Sequence, residues 1–314
     1  MTKVLDQVVT DRFAIYHADC VEAVAALPSD SVGLSVFSPP FASLFTYSAS
    51  ARDMGNSKDG DEFATHFRFL ISDLIRVTKP GRLIAVHCMQ LSTLKARDGA
   101  IGMRDFRGEI IRSFVEAGAI FHSEICIWKD PVQAMQRTKA LGLLHKTIRT
   151  DSSMSRQGFA DYVVVFRKHG VNDTPISHTD DSLARVEMWQ RYASPVWVTT
   201  DSGNDTDGFP KCTADINPNE TLQHRSARED KDERHICPLQ LEVIRRIVRL
   251  WSAPGDVVLS PFAGIGSEGY VALQEGRRFI GAELKASYFA QAVKNLHEAA
   301  TPRTADLFSR VGVQ

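Results

Sequence analysis

An α/β fold built on a doubly wound, mostly parallel sheet is predicted from three features of this 314-residue chain. Short apolar runs of strand length alternate with longer segments whose apolar residues recur at helical spacing, the pattern of a parallel sheet covered on both faces. Two of those runs end in turns of unusual composition. Ser38-Pro39-Pro40-Phe41 lies near the N-terminus, and Ser260-Pro261-Phe262-Ala263-Gly264-Ile265-Gly266-Ser267 lies near the C-terminus. In such sheets ligands bind beyond the carboxyl ends of the strands, which is where both turns fall.

The elements follow in order. Phe13 to His17 is a short strand ending at Asp19, and Val21 to Leu27 a short helix stopped by Pro28. Val32 to Phe37 is an apolar run of buried-strand length. Residues 42–60, rich in Ser, Asp, Asn and Gly, read as a loop that either closes over a ligand or lies free at the surface. From Asp61 to Thr78, Phe63, Phe67, Leu70, Ile71, Leu74 and Ile75 form a helical stripe, ended by Lys79-Pro80-Gly81. Leu83 to Cys88 is a strand, Phe106 to Val115 a helix, Ala119 to Trp128 a strand and Tyr162 to Phe166 another. Between Gly170 and Arg234 polar and turn-forming residues dominate, so a less regular insertion is expected there. Order returns with the helical face Leu241, Ile244, Ile247, Val248 and Trp251. The strand Val257 to Leu259, the helix Glu268 to Gln274, the strand Phe279 to Ala282 and a closing helix from Ala286 to Ala299 complete the pattern.

Bulk properties exclude several classes. Apolar residues make up 43% and charged residues 24% of the chain, ordinary values for a globular protein. No apolar run approaches the roughly 18 residues needed to span a bilayer, and no signal-peptide core is visible after Met1. The five cysteines are scattered without a C-x-x-C pair, which fits the reduced cytoplasm and argues against a disulfide framework or a zinc ribbon. No metal ligand set is expected. With a formal net charge of −1, any attraction to nucleic acid must be local. It has a place to be local: Lys129 to His169 carries eight Lys and Arg against three acidic residues.

The two turns together resemble the amino-methyltransferases of DNA. Ser38-Pro39-Pro40-Phe41 is similar to their catalytic tetrapeptide, and the C-terminal turn to their donor loop, commonly Asp-Pro-Phe-x-Gly-x-Gly. The likeness covers most of the chain apart from about residues 171–230, and it implies S-adenosyl-L-methionine as the methyl donor. Phe262, Gly264 and Gly266 would line that donor and Glu283, one strand-helix unit further on, would accept its ribose hydroxyls. Ser260 stands where the family usually has Asp, which puts the contact to the donor's methionine end in question. The segment containing His235, Cys237 and Pro238 either caps the methionine moiety or is a plain helix N-terminus with proline in its first turn. Asp19 either accepts from the donor's adenine, its strand having been moved to the front by circular permutation, or caps the helix that follows.

In the resemblance Ser38, Pro39, Pro40 and Phe41 are catalytic. The lone pair of an exocyclic amino nitrogen is delocalised into its ring, so the enzyme must accept hydrogen bonds from that nitrogen to turn its lone pair outward. Ser38 Oγ and the Pro39 carbonyl are acceptors, the prolines stiffen the backbone, and Phe41 would stack on a base flipped out of double-stranded DNA. Serine at the first position leans towards N4 of cytosine, with N6 of adenine retained as the competitor, in an enzyme of phage or prophage type with relaxed specificity. A DNA-binding regulator on a dead methyltransferase fold is a third reading.

The order of parts matches the beta class: a catalytic half over residues 1–130, target recognition and insertion over 131–234, and the donor half of the same domain over 235–314. Arg137, Lys139, His145, Lys146, Arg149 and Arg156 are either phosphate contacts or a solvated face. Dimerisation is common in the class, so a homodimer and a cognate restriction enzyme both stay open as partners.

Overall fold

The computed structural model describes residues 4–40, 60–93, 95–130, 145–154, 157–178, 182–199, 214–223 and 239–301. The chain opens with a hairpin, β1 (Asp6–Val9) and β2 (Phe13–His17), then α1 (Cys20–Ala25), β3 (Val32–Phe37) and α2 (Gly60–Val77). β4 (Thr78–Met89) leads to a small two-stranded sheet of β5 (Leu91–Thr93) and β6 (Gly102–Arg104), with α3 (Lys95–Asp98) between them. α4 (Phe106–Glu116), β7 (Ile120–Trp128), α5 (His145–Thr150), β8 (Asp161–Arg167), α6 (Val186–Ala193), β9 (Val196–Thr199) and β10 (Ala214–Ile216) follow. The chain closes through α7 (Leu241–Trp251), β11 (Val257–Ser260), α8 (Ser267–Gln274), β12 (Arg278–Glu283) and α9 (Ala286–Ala300).

The strands form one mixed sheet in the order β1-β2-β12-β11-β3-β4-β8-β7-β9-β10. From β2 to β4 all neighbours are parallel, and β8 runs antiparallel to both β4 and β7. Strand order runs outward in both directions from the β11/β3 pair, which makes that pair the topological switch point. The sheet is covered on both faces, as its unbroken apolar strands require. On one face Leu34, Val36, Leu83, Ala85, Val163 and Val258 pack against α7, α8 and α9. On the other, Phe37, Ile84, Val86, Val164 and Leu259 pack against α2 and α4.

Beyond β1, the β5–β6 unit and α5, which the sequence reading did not assign, two stretches differ from it. β4 begins at Thr78, not Leu83, because Thr78 pairs with Val32 across a bulge before the regular register starts at Leu34↔Leu83. The 170–234 stretch supplies α6, β9 and β10, and β9 pairs in parallel with β7. Fully buried Trp197 anchors it to the main core. Arg246 of α7 lies over the rings of both Tyr192 and Trp197, at 5.2 and 5.3 Å, and so ties this stretch to the C-terminal half.

Candidate active site at the switch point

The pairing of β3 with β11 brings the two turns together. Leu34 faces Val258 and Ser35 faces Leu259. Counting on in register, Ser38 and Phe262 leave the sheet side by side at the same carboxyl edge. The rings of Phe37 and Phe262 meet at 5.8 Å, so Phe262 is partly committed to packing under the crevice. A single strand pair thus joins turns from opposite ends of the chain.

On the glycine-turn side, Gly264 has φ +53 and Gly266, the N-cap of α8, has φ +86. A Cβ on Gly264 would project into open space, so the turn leaves a cradle for a ligand against the backbone. A Cβ on Gly269 would lie 2.5 Å from both Leu296 and Phe279, so α8 can seat on the sheet only with glycine there. The Glu283 carboxylate accepts from the N–H of Gly264 and from that of Lys285, each at 2.8 Å. A carboxylate has about four acceptor sites, and this grip aims it at the turn. Ser260 is fully buried, and its hydroxyl has no hydrogen-bond partner among the described residues. An open glycine turn, an anchored carboxylate and, beneath them, a buried orphaned hydroxyl fit a nucleoside-bearing, zwitterionic group such as S-adenosyl-L-methionine. Ser260 would meet its charged end with a neutral acceptor where an Asp would bring charge.

Asp19, at the carboxyl end of β2, caps α1: its Oδ1 accepts from the N–H of Val21 at 2.9 Å and of Glu22 at 3.4 Å. Capping accounts for one carboxylate oxygen. Phe41, His235, Cys237 and Pro238 fall outside the described residues, as do Arg137, Lys139 and Arg156. His145, Lys146 and Arg149 belong to α5, where His145, Lys146 and Arg149 are all exposed.

On the tetrapeptide side, Ser38 is half-buried and Pro39 buried. Ser38 Oγ bonds His87 Nδ1 at 2.8 Å, and His87 Nε2 bonds Asp161 Oδ2 at 2.9 Å. Lys129 makes an ion pair with the same Asp161 oxygen. His87 and Asp161 are buried. Burial alone would raise the Asp161 carboxyl, but Lys129 and the His87 hydrogen bond outweigh it and hold the group well below its usual range, hence ionised. His87, Asp161 and Lys129 were not singled out as site residues from the sequence. The available signal was a histidine inside an otherwise apolar strand, Leu83-Ile84-Ala85-Val86-His87-Cys88.

Burial pushes the thiols of Cys20, Cys88 and Cys126 up, so they stay protonated and unreactive at neutral pH. Among the described residues no group of His, Cys, Asp or Glu could hold a metal ion, and no helix is long and apolar enough to cross a membrane.

Comparison with known proteins fits this geometry. The model of the N6/N4 methyltransferase family, described as DNA methylase, matches residues 32–294. The type II methyltransferase M.BglII of Bacillus subtilis is 25% identical over 276 residues, covering 87% of this chain and 66% of its own length. This chain therefore spans about two thirds of that relative. Among solved structures, TTHA0409 of Thermus thermophilus in complex with S-adenosyl-L-methionine matches with a TM-score of 0.61 at 21% identity, covering 90% of this chain and 94% of its own. The cytosine-N4-specific PvuII DNA methyltransferase matches with a TM-score of 0.62 at 17% identity, covering 93% and 90%. At such identities these structures speak for the fold. The family model spans most of the chain, and the chain belongs to the N6/N4 DNA methylase family.

Proposed function

We propose that this DNA methylase transfers a methyl group from S-adenosyl-L-methionine to the exocyclic amino group of a base flipped out of double-stranded DNA, with N4 of cytosine as the target, in the cytoplasm. One observation supports the reading: the β3/β11 register brings the Ser38 turn and the Gly264 turn to the same carboxyl edge at the switch point, as a shared crevice for donor and base requires. The bound donor supplies an electrophilic methyl group on a positively charged sulfur.

The protein's own groups bind, align and exclude. Glu283 accepts the ribose hydroxyls, held in place by two backbone N–H groups. Gly264 lets the backbone approach the donor, and Ser260 faces its methionine end. The segment with His235, Cys237 and Pro238 caps that end. Ser38 Oγ and the Pro39 carbonyl accept from the amino group and turn its lone pair towards the methyl carbon, while Phe41 stacks on the base. Alignment of this kind carries most of the acceleration, since the donor is already activated. Protonated thiols leave no cysteine nucleophile among the described residues, which disfavours methylation of a ring carbon. Residues 1–130, with β8 inserted into their part of the sheet, form the catalytic half, the rest of 131–234 recognises the target and 235–314 hold the donor. Exposed His145, Lys146 and Arg149, with Arg137, Lys139 and Arg156, contact phosphates and so supply affinity without sequence information.

The test is to incubate DNA with the protein and the donor, digest it to nucleosides and identify the product by mass spectrometry. N4-methylcytosine is the expected product. N6-methyladenine would move the target to adenine, the other substrate of the family. Donor binding with no modified base would favour the regulator, and failure to bind the donor would overturn the reading.

A further inference from the structure

Ser38, His87, Asp161 and Lys129 lie in, or directly follow, four neighbouring strands, β3, β4, β8 and β7. Side chains alternate between faces along a strand. Ser38 continues the alternation of Leu34 and Val36, His87 that of Leu83 and Ala85, Asp161 that of Val163 and Val165, and Lys129 that of Ile125 and Ile127, all on the face covered by α7 to α9. Register aligns them at the carboxyl edge. Phe37 pairs with Val86, one step before Ser38 and His87, while Asp161 pairs with both Met89 and Ile127. A row of polar groups thus crosses the sheet and ends at the catalytic turn.

Resting on the methyltransferase reading, we infer that His87 and Asp161 are positioning residues for Ser38, turning its hydroxyl proton away from the reacting nitrogen and receiving, through it, the proton that nitrogen releases. An ionised carboxylate can only accept, so Asp161 requires a proton on His87 Nε2. In the neutral ring Nδ1 is then a bare acceptor, and at 2.8 Å it takes the Ser38 hydroxyl proton. The lone pairs of Ser38 are left facing the crevice, which is what an amino-group N–H needs. Lys129 keeps Asp161 ionised and so fixes the tautomer.

As the carbon–nitrogen bond forms and the carbon–sulfur bond breaks, the amino nitrogen sheds one proton. That proton passes to Ser38 Oγ while the Ser38 hydroxyl proton passes to His87 Nδ1. The resulting imidazolium keeps its Nε2–H on Asp161 and returns the extra proton to water after the product leaves. The same three residue types serve serine hydrolases, but there the attacked carbonyl also needs N–H donors for its oxyanion. Pro39 and Pro40 offer no N–H for that role, which suits a serine that accepts.

The test is a double-mutant cycle on the full chain, with the single-turnover methyl-transfer rate and the donor Kd measured for each variant. Asp161→Asn presents an N–H to His87 Nε2 and forces the ring proton onto Nδ1, where it competes for the Ser38 lone pair. Transfer is expected to slow on the order of 10²-fold, with donor Kd within about twofold of wild type. In a Ser38→Ala background the same change should cost nothing further, because its effect runs through the serine. His87→Asn, which keeps an acceptor near the Nδ1 position, should retain more activity than His87→Ala. Wild-type transfer in Asp161→Asn, losses that add in the double variant, or a parallel loss of donor binding would each overturn the inference. A wild-type protein that methylates no DNA would overturn the parent reading and this one with it.

Discussion

Two ion-paired aspartates sit at opposite edges of one sheet and do different work. Asp256, just before β11, accepts from the Ala253 N–H at 2.8 Å and pairs with Arg82, whose side chain is only 2% exposed. Gly33 leaves room for it, since a Cβ there would lie 2.8 Å from its Cγ. Lys79 adds a second, looser ion pair to Asp256 at 3.9 Å, and all of these contacts stay at the amino edge. Asp161, at the carboxyl edge, also has a cation, but its second partner is His87, and through it the chain of contacts reaches half-buried Ser38. An ion pair in the interior becomes functional, on this contrast, when one member hands its orientation to a group facing a crevice. Low exposure and charge pairing are common to both.

The contrast is tested most severely at the carboxyl edge. Ser38→Ala should lose at least about 10²-fold in turnover, the scale of a positioned proton-handling group, with donor affinity nearly intact. Loss of both in a kinetic and calorimetric comparison would make the serine structural, like Asp256. At the amino edge, Asp256→Asn should lower unfolding free energy by about 3 kcal/mol, because it leaves Arg82 charged and buried. Urea titration reads that loss, and turnover per folded molecule should not change. A turnover defect at low temperature would erase the distinction between the edges.

Glu283→Gln should weaken donor binding by about tenfold, the scale of a hydrogen bond to a charged acceptor, with little change in melting temperature. Titration calorimetry decides it, and an unchanged Kd would remove Glu283 from the donor site. A pH dependence of stability is expected as well. Burial at the start of α8, with the Glu283 charge adding to it, pushes the Glu268 carboxyl up to about 8 from an ordinary 4.5. Between those values the folded chain holds a proton that the unfolded chain has released, so stability falls as pH rises through the window. Glu268→Gln should flatten that fall, and an unaltered pH profile of urea midpoints would show that the carboxylate is ionised in place.

Much of the architecture is legible in the residues because it depends on local periodicity. The apolar run at 32–37 and the helical stripes at 61–78 and 241–251 correspond to β3, α2 and α7 within a few residues. Polar, turn-rich composition hid β9 and β10, since three- and four-residue strands owe their existence to pairing with distant neighbours. The glycine turn was legible because positive φ and close approach leave few other residues eligible. Of the glycines there, Gly269 serves helix seating, since a Cβ would meet Leu296 and Phe279. Asp19 shows the opposite case: one residue type suits a cap and a ligand, and the cap is what the backbone around it uses.

Residue order alone dictates the succession of strands and helices, the two turns that end β3 and β11, and the face on which each strand residue must lie. Those follow from propensity and from periods of two and 3.6 along the chain. That β3 lies between β11 and β4, and that β8 inserts between β4 and β7, emerges only once the sheet is assembled. Ser38, His87, Asp161 and Lys129 are spread over more than 120 positions of the chain. They meet because inter-strand hydrogen bonds set register between segments with no local influence on one another.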